Sequence, residues 1–489
     1  MACGRGLHAL CFVAKSTYER VIIKKEDALR TNTEGTIMLI SAIRRWRIRR
    51  LYNAGEWSKA RKECESELAT SNYMFAAELM VRCLYNEAQW QALLDFTNHH
   101  PESDLGSYTH KAKRKLAEKI EASEGIPEPD YKQDWNATDL LSNWSQEGNR
   151  VWLRHPWGWV HWDMPEGFVL GKTHPSLLHL ALEVLLSPWV PETKSWDVEA
   201  RSQGQHHALS YSGGIDSTAA MILMPDNTIL AYHERNFTSM LNHSLPYSTF
   251  EAIELRTNRR VLRISSNHEK IRTFSGKQTG FSTANAACVH LILLADHLDL
   301  SSIAFGTVIE NTWLEKGLKY RDFTQSHYWN YWPKKFEQAG LMYVLPINHI
   351  TEAGALSICK QSSFSDVVNS CLRGHTGEWC GKCWKCFHKN GPLGRKIDPS
   401  SKEISHFLNK KPLRTAQHAL WALKVQGLEN LAPQLSNHIA KDLSWWEKAY
   451  QPGLELIDEP LRSFIEKRTT SYLEWMAEPY ALISVDLDV

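Results

Sequence analysis

A glycine- and hydroxyl-rich segment, Leu209–Thr218, has the residue types of an anion-binding loop. Gly213 and Gly214 leave backbone N–H groups open to an anion, and the hydroxyls of Ser212 and Ser217 add further donors. The segment follows an apolar run and opens a helical pattern, so the positive end of a helix would face the same anion. We therefore predict a phosphate-binding loop here.

One carboxylate, Asp216, lies inside this loop. It would repel a phosphate unless a divalent cation lay between the two groups, so its presence predicts Mg²⁺ together with the phosphate. Asp216 and Ser217 are accordingly the predicted catalytic residues. A glycine-rich turn with hydroxyl caps is the structural alternative. The sequence has no Gly-x-x-x-x-Gly-Lys-Ser/Thr motif, so it does not favour Walker-type chemistry at a γ-phosphate.

Four of the ten cysteines lie within sixteen residues: Cys371, Cys380, Cys383 and Cys386. Four thiolates in one short loop suit a tetrahedral zinc site, and a complete ligand set favours a structural role for the metal. An iron–sulfur cluster with a role in sulfur transfer is the alternative. Because the other cysteines are scattered, the distribution predicts a metal site in a reducing compartment and not a disulfide scaffold.

Apolar runs alternate with helical stretches between residues 206 and 370, which is typical of an α/β protein with an open parallel sheet. The five predicted strands are Ala208–Tyr211, Thr228–Tyr232, Val261–Ile264, Ile303–Phe305 and Met342–Leu345. The phosphate loop directly follows the first of them.

The region before this sheet is predicted to be helical over residues 34–122. Leu51–Ala60 is echoed by Leu84–Leu93 at an offset of 33 residues, close to the tetratricopeptide period of about 34. Two repeat-like helical hairpins that dock a protein partner are one interpretation. Two unrelated amphipathic hairpins that share a turn are the other.

Tryptophan is frequent in this chain, with 20 copies, of which eight lie between Trp135 and Trp196. Arg150–Trp162 alternates as a β-hairpin does, and Pro175–Leu186 reads as an apolar helix. We expect these tryptophans to form core, with a surface that stacks bases or sugars as the alternative.

The predicted organisation has four parts: a helical region 1–125, a Trp-rich segment 130–200, a nucleotide domain 201–396 and a helical region 397–489. Lys plus Arg total 56 against 55 Asp plus Glu, so no overall charge predicts a nucleic-acid partner, and that question stays open. No apolar run approaches the about 20 residues that span a bilayer. A cytoplasmic protein is expected.

The Ser-Gly-Gly-x-Asp-Ser run at Ser212–Ser217 resembles the pyrophosphate loop of the N-type ATP pyrophosphatases, which cleave ATP between its α- and β-phosphates. The resemblance implies a Rossmann-like sheet of the adenine nucleotide alpha hydrolase type that binds ATP and Mg²⁺. It implies nucleotide contacts at Ser210, Ser212, Gly213, Gly214, Ile215, Asp216, Ser217, Tyr232 and Gly306. Glu310 would be a second metal or substrate contact, or else a solvated loop carboxylate.

The loop and the cysteine element together, over Ala208–Lys389, resemble the 7-cyano-7-deazaguanine synthases. That family adenylates a deazapurine carboxylate and lets ammonia attack it, and its four cysteines bind zinc. Two elements depart from the family. Ser282–Asn285 replaces a Pro-x-Arg-Asn element, and no lysine accompanies Glu352. Arg235 or Lys277 is expected to supply the missing positive charge.

These features predict an ATP-dependent ligase that forms AMP and pyrophosphate and activates a small carboxylate for attack by ammonia or an amine. A sulfurtransferase or a sugar amidotransferase with the same loop is the first alternative. Sulfur transfer would need a reactive cysteine near the loop, whereas Cys288, in the apolar helical stretch Ala284–Leu294, is expected to be a core residue. A helical-repeat interaction protein with a relic nucleotide domain is the second.

Overall fold

The computed structural model describes residues 33–70, 72–103, 108–109, 111–113, 115–116, 128–130, 132–236, 243–371, 373–374, 377–487 and 489. The chain divides into two compact units, Met1–Leu116 and Ala117–Val489. The predicted linker between residues 125 and 134 lies partly outside the described residues.

The first unit is helical, as the sequence predicts. Its helices are α1 (Thr33–Asn53), α2 (Trp57–Glu67), α3 (Tyr73–Asn86) and α4 (Trp90–His99). The echoed segments form the same turn twice, because Gly55 and Ala88 both adopt positive φ angles, of 77° and 56°. A helix then begins at Trp57 and at Trp90. The 33-residue echo therefore marks two equivalent helix–turn–helix connections, whose apolar residues share a core of their own.

The second unit contains an eight-stranded sheet and a two-stranded ribbon. The strands are β1 (Trp144–Glu147), β2 (Arg150–His155), β3 (Gly158–Asp163), β4 (His206–Ser210), β5 (Ile229–Arg235), β6 (Val261–Ser266), β7 (Leu300–Phe305), β8 (Leu314–Glu315), β9 (Lys319–Tyr320) and β10 (Met342–Val344). Each of the five strands predicted from apolar runs overlaps one of β4, β5, β6, β7 and β10, with bounds that differ by up to three residues, so the existence of these strands is confirmed.

The sheet order is β1-β2-β3-β6-β5-β4-β7-β10. Five neighbouring strands of this sheet, in the order β6-β5-β4-β7-β10, are parallel. Strand β4, which comes first of these five in the chain, lies in the middle. The chain adds β5 and β6 on one side of β4 and then β7 and β10 on the other. The strand order thus reverses between β4 and β7, and open α/β sheets bind ligands beyond the carboxyl ends of the strands at such a switch point.

The Trp-rich segment extends this sheet. The predicted hairpin forms β2 and β3, and β3 pairs antiparallel with β6 through Trp162 and Ser266. Trp144, Trp152 and Trp162 are buried. These three tryptophans are core residues, as expected, whereas Trp157 is 40% exposed and Trp189 lines a cavity.

Helices cover the second unit and include those predicted at Pro175–Leu186 and towards the carboxyl terminus. They are α5 (Pro175–Leu186), α6 (Ile215–Leu223), α7 (Ser244–Thr257), α8 (Val289–Leu293), α9 (His327–Gln338), α10 (Glu352–Gln361), α11 (Lys402–Leu408), α12 (Ala416–Gln426), α13 (Ser436–Ile439) and α14 (Leu461–Thr470). The buried apolar residues of this unit between Leu140 and Val485 include one large contiguous core. Within the part of the chain that the structure describes, every helix is too short or too polar to span a bilayer.

Candidate functional site

The predicted phosphate loop connects the end of β4 to the start of α6, with Gly214 as the residue before the helix. Gly213 has a φ angle of 73°, in the left-handed region. A Cβ at Gly213 would lie 3.1 Å from Phe250 and 3.2 Å from the backbone of Pro246. Both the conformation and the surroundings therefore require glycine at this position.

The hydroxyl groups of the loop face one another. Ser212 Oγ lies 3.0 Å from Ser217 Oγ, and Ser217 Oγ donates to the carbonyl of Gly214 at 3.0 Å. The Gly214 N–H donates to Ser212 Oγ at 3.3 Å. The donors expected to hold a phosphate are thus gathered in one turn, where an anion could replace these internal contacts.

Asp216, on the first turn of α6, forms an ion pair with Lys389. Lys389 Nζ lies 2.7 Å from Asp216 Oδ1 and 2.9 Å from Glu352 Oε2, and the lysine side chain is only 2% exposed. Burial by itself lowers the pKa of Lys389, but the two carboxylates outweigh it and raise the pKa above its usual range. Lys389 is therefore a fixed positive charge directly behind the loop.

Ser370 makes the second contact from the cysteine element to the loop. The backbone N–H of Ile215 donates to Ser370 Oγ at 3.1 Å. This N–H belongs to the first residue of α6 and has no partner within the helix. Ser370 thus caps the helix end that would face a phosphate.

The four predicted metal ligands converge, with their sulfur atoms all within 4.8 Å of one another. Cys386 Sγ lies 3.5 Å from Cys383 Sγ and 3.8 Å from Cys380 Sγ. Zinc–sulfur bonds of about 2.3 Å place the sulfurs of a tetrahedral site about 3.8 Å apart. Asn390 Nδ2 also donates to Cys386 Sγ at 3.3 Å, as groups beside thiolate ligands do. The cluster could hold a metal ion such as zinc.

The two residues that contact the loop, Ser370 and Lys389, lie directly before and shortly after the four cysteines in the sequence. Ser370 immediately precedes Cys371, and Lys389 follows Cys386 by three residues within the π-helical turn Cys386–Asn390. A metal bound to the cysteines would hold both segments in place beside α6.

Of the remaining predicted nucleotide contacts, Ser210 and Tyr232 bond to groups outside the loop, whereas Gly306 packs against it. Ser210 Oγ donates to the carbonyl of Ala287 at 3.1 Å, and the buried Tyr232 hydroxyl lies 2.6 Å from His243 Nδ1. Gly306 packs against α6, since a Cβ there would lie 2.9 Å from Ser217 Cα. This glycine lets β7 and the start of α6 approach each other.

Glu310 is not a solvated loop carboxylate, so that alternative is wrong. It is 2% exposed, and its Oε1 accepts a hydrogen bond of 2.7 Å from the backbone N–H of Glu352. Burial, together with the nearby charge of Glu352, raises the pKa of Glu310 well above its usual range. Its position follows from the turn after β7, which turns the side chain into the protein.

The two cations expected to replace the missing family charge line a separate cavity of about 480 Å³. Arg235 Nε lies 2.5 Å from Glu269 Oε1. Lys277 and Arg272 line the same cavity, beside the aromatic ring of Phe281. The charge found against the loop is instead that of Lys389, which the sequence analysis did not identify. Its lining includes Arg235, the last residue of β5, and Glu269, three residues after the end of β6.

Comparison with known proteins adds one match. Residues 331–481 match a family of unknown function, DUF6395. The DUF6395 segment contains the four cysteines, Ser370 and Lys389, but not the phosphate loop. Comparisons with curated proteins and with solved structures gave no match.

Sequence reasoning missed Lys389, Ser370 and two buried histidines, His388 and His418. A signal was present for Lys389, because it lies three residues after the last cysteine of a predicted metal site. If the metal site supports the phosphate loop, a lysine three residues from a metal ligand must lie close to that loop. No local pattern indicates that His418, on α12, lies beside Glu352 and His388.

Proposed function

We propose that this protein is an ATP-dependent ligase that forms AMP and pyrophosphate by adenylating a carboxylate, which ammonia or an amine then attacks. The second unit would be a Rossmann-like domain of the adenine nucleotide alpha hydrolase type. The observation that carries the proposal is the glycine–serine loop at the carboxyl end of the central strand β4, with Asp216 and Lys389 paired beside it. This position is the one at which such sheets bind nucleotides.

The loop residues would bind the β- and γ-phosphates that leave as pyrophosphate. Gly213 and Gly214 bring backbone N–H groups to the anion, and Ser212 and Ser217 would donate their hydroxyls after giving up their mutual contact at 3.0 Å. The N-terminal end of α6 adds its positive dipole. The resemblance implies a positive charge at the loop. Lys389 would supply it, because Arg235 and Lys277 line the cavity instead.

Asp216 fits a Mg²⁺ ion, because 28% of its side chain is exposed beside the loop while one oxygen holds Lys389. Such an ion would neutralise negative charge on the leaving pyrophosphate. Catalysis would rest mainly on positioning and charge stabilisation, which need no protein nucleophile.

The cavity beside Phe281 would receive the carboxylate substrate. Arg235, Arg272 and Lys277 outnumber its one acidic residue, Glu269, so the cavity attracts anions. Phe281 and Trp189 could flank a planar ring. A ring-bearing carboxylate of deazapurine size is the substrate class we propose to test first.

Sulfur transfer is less well supported than adenylation. Cys288 is buried, and burial raises the pKa of its thiol well above the usual range. The described cysteines outside the cluster, Cys64, Cys83, Cys288 and Cys359, are all buried. A thiol in such surroundings is a poor nucleophile.

The test is to incubate the purified protein with Mg²⁺-ATP, ammonium and a panel of ring-bearing carboxylates, and to measure AMP and pyrophosphate. We expect Asp216→Asn and Lys389→Met to lower turnover by about 10²–10³-fold, as removing a preorganised charge contact does. Lys382→Met, at an exposed lysine in the same element, is the control and should keep full activity. Release of ADP and phosphate, or full activity in Asp216→Asn, would falsify the proposal.

A further inference from the structure

A second group of potential metal ligands lies inside the protein, apart from the cysteines. Glu352, His388 and His418 each offer a ligand atom, and these atoms lie within 4.8 Å of one another. All three residues are buried. Glu352 begins α10, His388 lies in the turn Cys386–Asn390 and His418 lies in α12, so three separate segments meet at this point.

Several polar atoms in this group have no hydrogen-bond partner among the described residues. They are both ring nitrogens of His388, Nδ1 of His418 and Oε2 of Glu310. Each of these residues is at most 2% exposed. Buried polar groups are nearly always paired in folded proteins, so several unpaired atoms in one place point to an ion or a water molecule that pairs with them.

The contacts already resemble a coordination shell. Glu352 Oε2 lies 3.9 Å from His388 Nδ1, and Glu310 Oε1 lies 4.0 Å from His418 Nδ1. Metal–ligand bonds of about 2.0–2.1 Å place the donors of tetrahedral zinc about 3.4 Å apart. The shell therefore has to contract by about half an ångström around an ion.

His418 also has the outer contact that metal-bound histidines make. Its Nε2 lies 3.0 Å from the carbonyl of His388, which can only accept. The proton therefore sits on Nε2 and leaves the Nδ1 lone pair free towards Glu310.

The carboxylates around His418 also favour a cation. Two buried carboxylates, Glu310 and Glu352, lie on either side of its ring. One ammonium group, that of Lys389, is shared between Glu352 and Asp216. A divalent ion between Glu310 and Glu352 would offset their negative charge.

We propose that Glu352, His388 and His418, with Glu310 as fourth ligand, form a second metal site that binds Zn²⁺. Two imidazoles and two carboxylates are donors that zinc accepts, and four protein ligands in a closed site favour a structural role. The ion would join the turn after β7, α10, the turn after the cysteines and α12. Lys389 would lie just outside its ligand shell, bonded to Glu352.

The test is to measure zinc by elemental analysis and zinc-edge X-ray absorption on untagged, full-length protein. We expect zinc with a nitrogen and oxygen shell at about 2.0–2.1 Å, in addition to any zinc held by sulfur at about 2.3 Å. His418→Gln and Glu310→Gln should each lower the zinc content by up to one ion per chain and remove the shorter shell. His406→Gln, at an exposed histidine on α11, is the control and should change neither.

Zinc bound only to sulfur in the wild-type protein would overturn the proposal, and so would a nitrogen and oxygen shell that survives both substitutions. If a variant does not fold, the wild-type absorption spectrum still decides, because the cysteine site contributes no nitrogen or oxygen ligand. The measurement needs no ATP turnover, so its outcome is independent of the proposed ligase activity.

Discussion

Lys389 donates a hydrogen bond to Asp216 across 173 residues of sequence, with Nζ and Oδ1 2.7 Å apart. Through this contact the turn that follows the cysteine cluster touches the first turn of the phosphate-loop helix. Glu352 holds the same ammonium group from α10 at 2.9 Å. The charge beside the loop therefore depends on three segments that are distant in sequence.

Removing this buried charge should destabilise the fold. Lys389→Met removes the lysine that Asp216 and Glu352 share, and breaking a buried ion pair costs about 3–5 kcal/mol. Urea unfolding should show this loss, and the double variant Lys389→Met/Asp216→Asn should recover part of it. A loss below about 1 kcal/mol, the value typical of exposed pairs, would show that the lysine is not held as described.

Gly306 should matter through packing at the loop. An alanine Cβ there would lie 2.9 Å from Ser217 Cα, so Gly306→Ala has to displace the start of α6. We expect weaker ATP binding in calorimetry and a loss of stability. Gly171→Ala is the control, since nothing lies within 4 Å of a Cβ at that position. Equal ATP affinity in the two variants would contradict the packing argument.

Removing metal from the cysteine cluster should impair the loop. Cys380→Ser breaks the cluster that frames Ser370 and Lys389, so the cap on Ile215 and the charge beside Asp216 would both loosen. We expect ATP affinity to fall and protease cleavage within residues 377–400 to increase. Unchanged ATP affinity in a zinc-depleted Cys380→Ser variant would show that the cluster does not support the loop.

Buried histidines should make the fold sensitive to acid. Burial lowers the pKa of His349 to about 3 and that of His155 to about 3. A histidine in the unfolded chain takes up a proton near pH 6.5. In the folded protein, His349 and His155 take up a proton only at a much lower pH. Below about pH 6.5 the unfolded state thus binds more protons, and each histidine lowers stability by up to about 1.4 kcal/mol per pH unit.

Urea midpoints measured from pH 7 down to pH 4.5 check this expectation. In His349→Gln, the free energy of unfolding should fall less steeply with decreasing pH, by about the contribution of one histidine. In His406→Gln, at an exposed ring, the slope should equal that of the wild-type protein. An identical slope in the wild-type protein and His349→Gln would mean that His349 can be protonated in the folded state.

Local sequence patterns predicted several elements of this protein. The five parallel strands, helix α5 and the paired turns at Gly55 and Ala88 follow from apolar periodicity and from a repeated segment. The spacing of the cysteines predicted their convergence, because residues two or three apart after a turn can reach one ion. The mixed α/β class and the place of the glycine–serine loop were predictable for the same reason, since each depends on neighbours in the chain.

Only the tertiary structure brought Lys389 to Asp216, Ser370 to Ile215, and Glu310 to the buried histidines. The sequence analysis looked for the missing charge at Arg235 and Lys277, which line a different cavity. These contacts join residues 108–173 positions apart. Their formation depends on how helices and turns pack on the sheet, and a pattern that reports only neighbouring residues carries no information about that packing.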